Sequence, residues 1–95
     1  MSDPTLLVLV SLSDGDKHGY AMMEDIERSV GLRLGPGTLY GAITRLEERG
    51  WIKPVASDDR RRPYTLTASG REYLEAELAT LDRLLKRAGR KLKHA

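Results

Sequence analysis

The stretch Gly35-Pro36-Gly37-Thr38-Leu39-Tyr40-Gly41-Ala42-Ile43-Thr44-Arg45-Leu46-Glu47-Glu48-Arg49-Gly50-Trp51-Ile52 decides the fold. Leu39, Ala42, Ile43 and Leu46 recur at three- and four-residue intervals, which puts them on one face of a helix spanning about 38–49 and closed by Gly50. The opposite face carries Gly37, Gly41, Thr44, Arg45 and Glu48, with Thr38 and Tyr40 on its flanks. One side is fit to pack in a core. The other is small and polar, so a surface can come close to the helix backbone there.

Working toward the N-terminus, Ser2, Asp3 and Pro4 form a helix start, because proline loses nothing at the first helical position and serine or aspartate can cap it. A first helix over 4–13 is therefore expected. On periodicity alone its apolar run 6–10 reads equally well as a buried strand, and the start signal favours helix. Asp14-Gly15-Asp16 makes a turn, and His18-Gly19 leads into a second helix over 20–30 with Ala21 or Met22, then Met23, Ile26 and Val30, on its apolar side. Gly31 ends it.

Toward the C-terminus, residues 51–55 and 64–67 read as two short strands joined by a basic loop, 56–63. A last helix starts near Thr67 or Ser69, where Ser69 and Glu72 have capping-box spacing. Along it Leu74, Leu78, Leu81, Leu85, Ala88 and Leu92 are spaced four, three, four, three and four, a heptad seam. Such a seam must bury against the first helix, a partner chain or both. On the partner reading, Leu81→Asp gives a monomer. The order helix, helix, helix, hairpin, helix is that of a winged helix-turn-helix, mainly α with a small β-hairpin. We divide it into a DNA-binding domain over 1–70 and a dimerisation helix over 71–95.

Composition narrows the function. The chain has 95 residues, enough for one small domain, and a net charge of +2 that is unevenly distributed. Residues 1–30 carry −4 and residues 31–95 carry +6, so an anionic partner is expected to meet the second part. There is no cysteine, hence no disulfide, no thiolate zinc site and no cysteine nucleophile. His18 and His94 lie far apart in the chain, and no metal or cofactor is expected. The longest apolar run is far short of the roughly 18 residues of a membrane span, and no signal peptide is discernible, so the expected compartment is the cytoplasm. No phosphate-cradling glycine loop, paired carboxylates or nucleophile with a base at hand suggests an enzyme.

The residues placed to meet DNA follow from this plan. Thr38, Thr44 and Arg45 are candidates for base edges, since arginine pairs bidentately with guanine and threonine offers both a hydroxyl and a methyl. Gly37 and Gly41 allow close approach, and Tyr40 on the flank suits a phosphate. His18 and Tyr20, beside Lys17, stand at a helix N-terminus where free amides attract phosphate. Equally, His18 caps the helix and Tyr20 fills the core. Arg60, Arg61 and Arg62 at the hairpin tip suit a backbone or a minor groove, with Asp58 and Asp59 softening their field. Tyr64 packs in the core or touches a sugar-phosphate. Trp51 and Ile52 belong in or beside the core, with a ligand site in a dimer as the lesser reading for Trp51.

Residues 37–52 strongly resemble the recognition-helix signature of the PadR family of transcription regulators. His18-Gly19-Tyr20 looks like that family's second-helix start, and Arg61-Arg62-Pro63-Tyr64-Thr65-Leu66-Thr67-Ala68-Ser69-Gly70 looks like its wing and the start of its last helix. The signature positions fall on Tyr40, Arg45, Arg61, Arg62 and Tyr64. The resemblance implies a homodimeric regulator, usually a repressor, that binds a pseudo-palindromic operator in double-stranded DNA, exchanges its C-terminal helix with a partner and catalyses nothing. Members often answer to small aromatic or drug-like effectors, and nothing in these residues selects one. The rival reading is a winged helix used for protein contact without specific DNA binding.

Overall fold

The computed structural model describes residues 3–58 and 60–93, so Ser2, Asp59 and His94 lie outside the described residues. The helix reading of the first apolar run holds. Helix α1 (Pro4–Leu12) starts where Asp3 Oδ1 accepts the Thr5 amide at 3.0 Å, and Pro4 fills the first turn. The Thr5 hydroxyl bonded to Asp3, opposed by partial burial and aided by backbone amides and the Arg45 charge, holds that carboxyl below its ordinary value. A depressed folded-state value means that the cap contributes at neutral pH and is lost as pH falls through that value.

Helix α1 is apolar nearly all round because it is central. Val8, Leu9 and Leu12 are fully enclosed, whereas Val10 is exposed and Leu6 and Leu7 are half-buried. Its one buried polar side chain, Ser11, donates to Asp25 Oδ2 at 2.7 Å. That bond ties α1 to α2 (Gly19–Val30), whose Met22 and Ile26 enter the same core. Gly31 closes α2 at φ 72, a conformation that side chains rarely adopt.

Helix α3 (Pro36–Glu48) starts two residues earlier than its periodicity suggests, because Pro36 occupies the first turn and Gly35 the cap position. Leu39, Ala42, Ile43 and Leu46 are all buried, as the spacing predicts. Gly50 at φ 74 turns the chain into β1 (Ile52–Pro54), which pairs antiparallel with β2 (Tyr64–Leu66) in the register Ile52↔Leu66, Lys53↔Thr65, Pro54↔Tyr64. A further pairing has no local sequence signal. Lys17 bridges to Tyr64, with Tyr64 N to Lys17 O at 2.9 Å, so the α1–α2 turn lies alongside β2. The Lys17 ammonium also donates to the Ser11 carbonyl and to Asp14.

Helix α4 (Ala68–Lys93) is capped by Thr67, not by Ser69 with Glu72. The Thr67 hydroxyl accepts the Gly70 amide at 3.1 Å and donates to the Gly50 carbonyl at 2.7 Å, and the Thr67 amide reaches the Trp51 carbonyl at 3.0 Å. Ser69 instead donates to the Gly50 carbonyl at 3.1 Å. The end of α3 is thereby clamped to the start of α4. Thr67→Val, which keeps the shape and removes the hydroxyl, is expected to cost about 1–2 kcal/mol. An unchanged urea midpoint would remove Thr67 from the clamp.

Only the first part of α4 packs on the rest of the chain. Leu74 is 3% exposed and belongs to the core, and Leu81 is half-buried. From residue 82 to residue 93 every position is exposed, and the molecule measures 55 × 26 × 20 Å. The helix projects beyond the body.

Candidate nucleic-acid interface

The outward face of α3 is the centre of the site. Gly37, Thr38, Tyr40, Thr44, Arg45 and Glu48 are exposed and Gly41 is half-buried, directly opposite the four core residues of the same helix. Helical side chains lean toward the N-terminus of their helix, and the Arg45 guanidinium does so. Its Nη1 lies 3.6 Å from where a Cβ on Gly41 would stand, so arginine lies over the glycine. The Thr44 hydroxyl donates to the Tyr40 carbonyl at 2.9 Å, which leaves its oxygen to accept and its methyl for apolar contact. With Pro36 lacking an N–H and Gly35 supplying no side-chain cap, the first-turn amides of α3 are also outside the helical ladder.

The second element is the start of α2. His18 is its cap, with Nδ1 accepting the Ala21 amide at 3.3 Å while the His18 carbonyl accepts Met22 N at 3.1 Å. Capping, rather than phosphate contact alone, accounts for His18. The first amides of α2, those of Gly19 and Tyr20, lie outside the ladder, as at any helix N-terminus. Tyr20 is exposed beside Met23, Glu24 and Arg28 and does not fill the core. Arg28 and Arg33 have carboxylate partners, Asp25 at 3.7 Å and Glu27 at 2.7 Å, which quiets the positive charge at this edge.

The wing is the third. Arg60, Arg61 and Arg62 are all exposed at its tip, and Arg62 has φ 43, a left-handed conformation that is unusual outside glycine. Tyr64 departs from its place among the DNA-contacting candidates. It is 8% exposed, because the bridge to Lys17 turns it into the core.

Leu74 departs likewise from the candidate dimer seam, being buried in the core of the single chain, where α4 packs on α1. The remaining seam residues differ from it. Leu78, Leu85 and Leu92 are 42%, 71% and 79% exposed, and Ala88 is exposed. Leu81 joins Leu6, Leu7, Val30 and Leu32 in lining an open apolar groove between α1, α2 and α4. Trp51 is engaged within the chain. Its ring stacks on Tyr73 with centroids 3.8 Å apart and an interplanar angle of 15°, and the Arg49 guanidinium lies 5.2 Å from its centroid. The sequence offers Thr67 only as one of two helix starts, without its bond to Gly50, and it gives no signal for Ser11 and Asp25, whose partners are distant in the chain. No helix among the described residues is long and apolar enough to cross a membrane, and no group of three or more His, Cys, Asp or Glu among them is placed to hold a metal.

Comparison with known proteins agrees with this geometry. The model of the Transcriptional regulator PadR-like family matches residues 8–76. A protein of transposon TN4556 from Streptomyces fradiae is 48% identical over 83 residues, which cover 87% of this chain but only 24% of that protein's length. Transcriptional regulator Rv3488 of Mycobacterium tuberculosis is 33% identical over 82 residues, 83% of this chain and 76% of that regulator. A PadR family transcription regulator of Clostridium difficile superposes with a TM-score of 0.86 at 26% identity, covering 94% of this chain and 97% of that one. The match runs from within the first helix through the hairpin wing to the start of the last helix, and the chain belongs to the PadR-like family of transcriptional regulators.

Proposed function

We propose that the protein is a homodimeric repressor that reads a pseudo-palindromic operator, with α3 of each subunit in the major groove and α4 exchanged between subunits. The observation that carries the reading is the sidedness of α3, whose core residues are buried while Gly37, Thr38, Thr44 and Arg45 are exposed on the opposite face. In it, Thr38, Thr44 and Arg45 meet base edges, Tyr40 and the α2 start meet the phosphate backbone, and Arg60, Arg61 and Arg62 lie along the flanking duplex. Leu78, Leu81, Leu85, Ala88 and Leu92 bury against the partner. No residue is assigned to an effector.

Selection of bound fragments from random DNA tests the proposal directly, because a dimer of this kind enriches two related half-sites in inverted orientation. On the selected site, Arg45→Ala is expected to weaken binding by about 1–3 kcal/mol and to relax preference at one base pair, as loss of a bidentate contact does. A wing arginine replaced by alanine should weaken all sequences evenly. Unaltered affinity and preference for Arg45→Ala in a gel-shift series would overturn the recognition-helix assignment. Against the protein-docking alternative, the discriminating measurement is salt dependence, which is steep when several phosphates are neutralised.

A further inference from the structure

Gly19 is the first residue of α2 and is buried, although that helix begins at the molecular surface. Its cover is the Tyr40 ring from α3. A Cβ on Gly19 would stand 2.7 Å from Tyr40 Cζ and 2.9 Å from its Cε1, and closer still to the hydroxyl oxygen. All three nearest atoms belong to that one side chain. Gly19 is not among the glycines with positive φ, so its backbone would accept alanine, which is also the better helix former. The missing side chain therefore serves Tyr40 and not the backbone. Tyr40 is 48% exposed, so a ring pushed off this seat can swing into solvent without breaking the core.

We propose that Gly19 is a positioning residue for DNA binding, holding the Tyr40 hydroxyl at the start of α2 where it and the first-turn amides meet one backbone phosphate. This rests on the operator-reading function proposed above. The amides supply donors that lack intrahelical partners and the phenol supplies another, so the phosphate is fixed from two helices at once. Because α3 carries the base-reading residues, the contact also sets how α3 lies against the duplex. Alanine at position 19 would keep the amides and displace the phenol.

The test uses the full chain, DNA fragments selected by the wild-type protein, and the variants Gly19→Ala, Tyr40→Ala and the double variant. Gly19→Ala is expected to melt no lower than wild type and to shift the Tyr40 ring resonances, while weakening DNA binding about tenfold, the loss of one hydrogen bond to a charged group. The double variant should bind no more weakly than Tyr40→Ala alone, since one contact cannot be lost twice. Wild-type affinity in Gly19→Ala, additive losses in the double variant, unmoved Tyr40 resonances or a lowered melting temperature would each overturn the assignment while leaving the operator reading in place. Failure of the wild-type chain to enrich any DNA would overturn that reading, and this inference with it.

Discussion

Gly70→Ala is expected to destabilise the protein by about 3 kcal/mol, a large share of the stability of a small domain. Glycine within a helix ordinarily costs about 1 kcal/mol relative to alanine, so propensity alone predicts a gain. Packing reverses the sign. A Cβ on Gly70 would stand 2.8 Å from the Trp51 carbonyl carbon and 3.0 Å from its Cα, and nearer still to its oxygen. The obstacle is backbone, not the far end of a mobile side chain. Relief requires α4 to move off the β1 corner, which pulls the Thr67 amide from the Trp51 carbonyl and the Thr67 hydroxyl from the Gly50 carbonyl. It also disturbs the Trp51–Tyr73 stack. Gly89→Ala provides the internal comparison. That glycine lies in the same helix with nothing near its prospective Cβ, and the change should be neutral or gain up to about 1 kcal/mol. Urea unfolding of the two variants settles the matter. Equal midpoints would mean that the corner yields without cost and that α3 and α4 are not rigidly joined.

The Gly70 contact also marks where the sequence ceases to be legible. Residues 38–50 declare their fold locally: apolar spacing and a glycine stop point to one amphipathic helix, which forms as α3, although Pro36 moves its start two residues ahead of the periodicity. The heptad seam likewise announces a long final helix. What stays hidden depends on neighbours far along the chain. Ser69 and Glu72 have the spacing of a capping box, yet Thr67 caps α4, because the Gly50 carbonyl offers its hydroxyl a second bond that no local pattern reveals. Tyr64 sits beside a basic loop, and its local sequence leaves core packing and a sugar-phosphate contact equally open. Its bridge to Lys17 from the α1–α2 turn decides for the core. Ser11 reads as one polar residue on an apolar helix, and only its partner Asp25 explains its burial. The candidate DNA face was more legible than its supports, since exposed residues need no distant partner to take their place.

The seam shows the same limit at Leu74, and that governs how assembly should be tested. A substitution at Leu81 would mix folding with dimerisation, because Leu81 already lines the groove beside Leu6 and Leu7 within its own subunit. Leu85 is the cleaner probe. It is 71% exposed in one subunit, so Leu85→Asp should leave the monomer's helical signal and melting largely unchanged. In the proposed dimer, Leu85 of each subunit is buried, and two-fold symmetry counts every change twice. Losing the burial of two leucines removes about 3–6 kcal/mol, and the aspartates add the cost of desolvating charge in an apolar seam. The basic residues on this stretch of helix, Lys86 and Arg87 among them, soften that penalty only where they can reach the new carboxylate. Leu85→Asp should therefore sediment as a monomer at concentrations where the wild-type chain is a dimer. The effect on DNA should be larger than that of any single groove contact. A monomer holds one half-site without the effective concentration that couples it to the second, so operator affinity should fall by about 10²–10⁴-fold. Binding to an isolated half-site should change little. If Leu85→Asp still sediments as a dimer, the exposed seam is not the interface. If it is monomeric yet holds the full operator as tightly as wild type, the two half-sites are not read together and the case for a pseudo-palindromic target is lost.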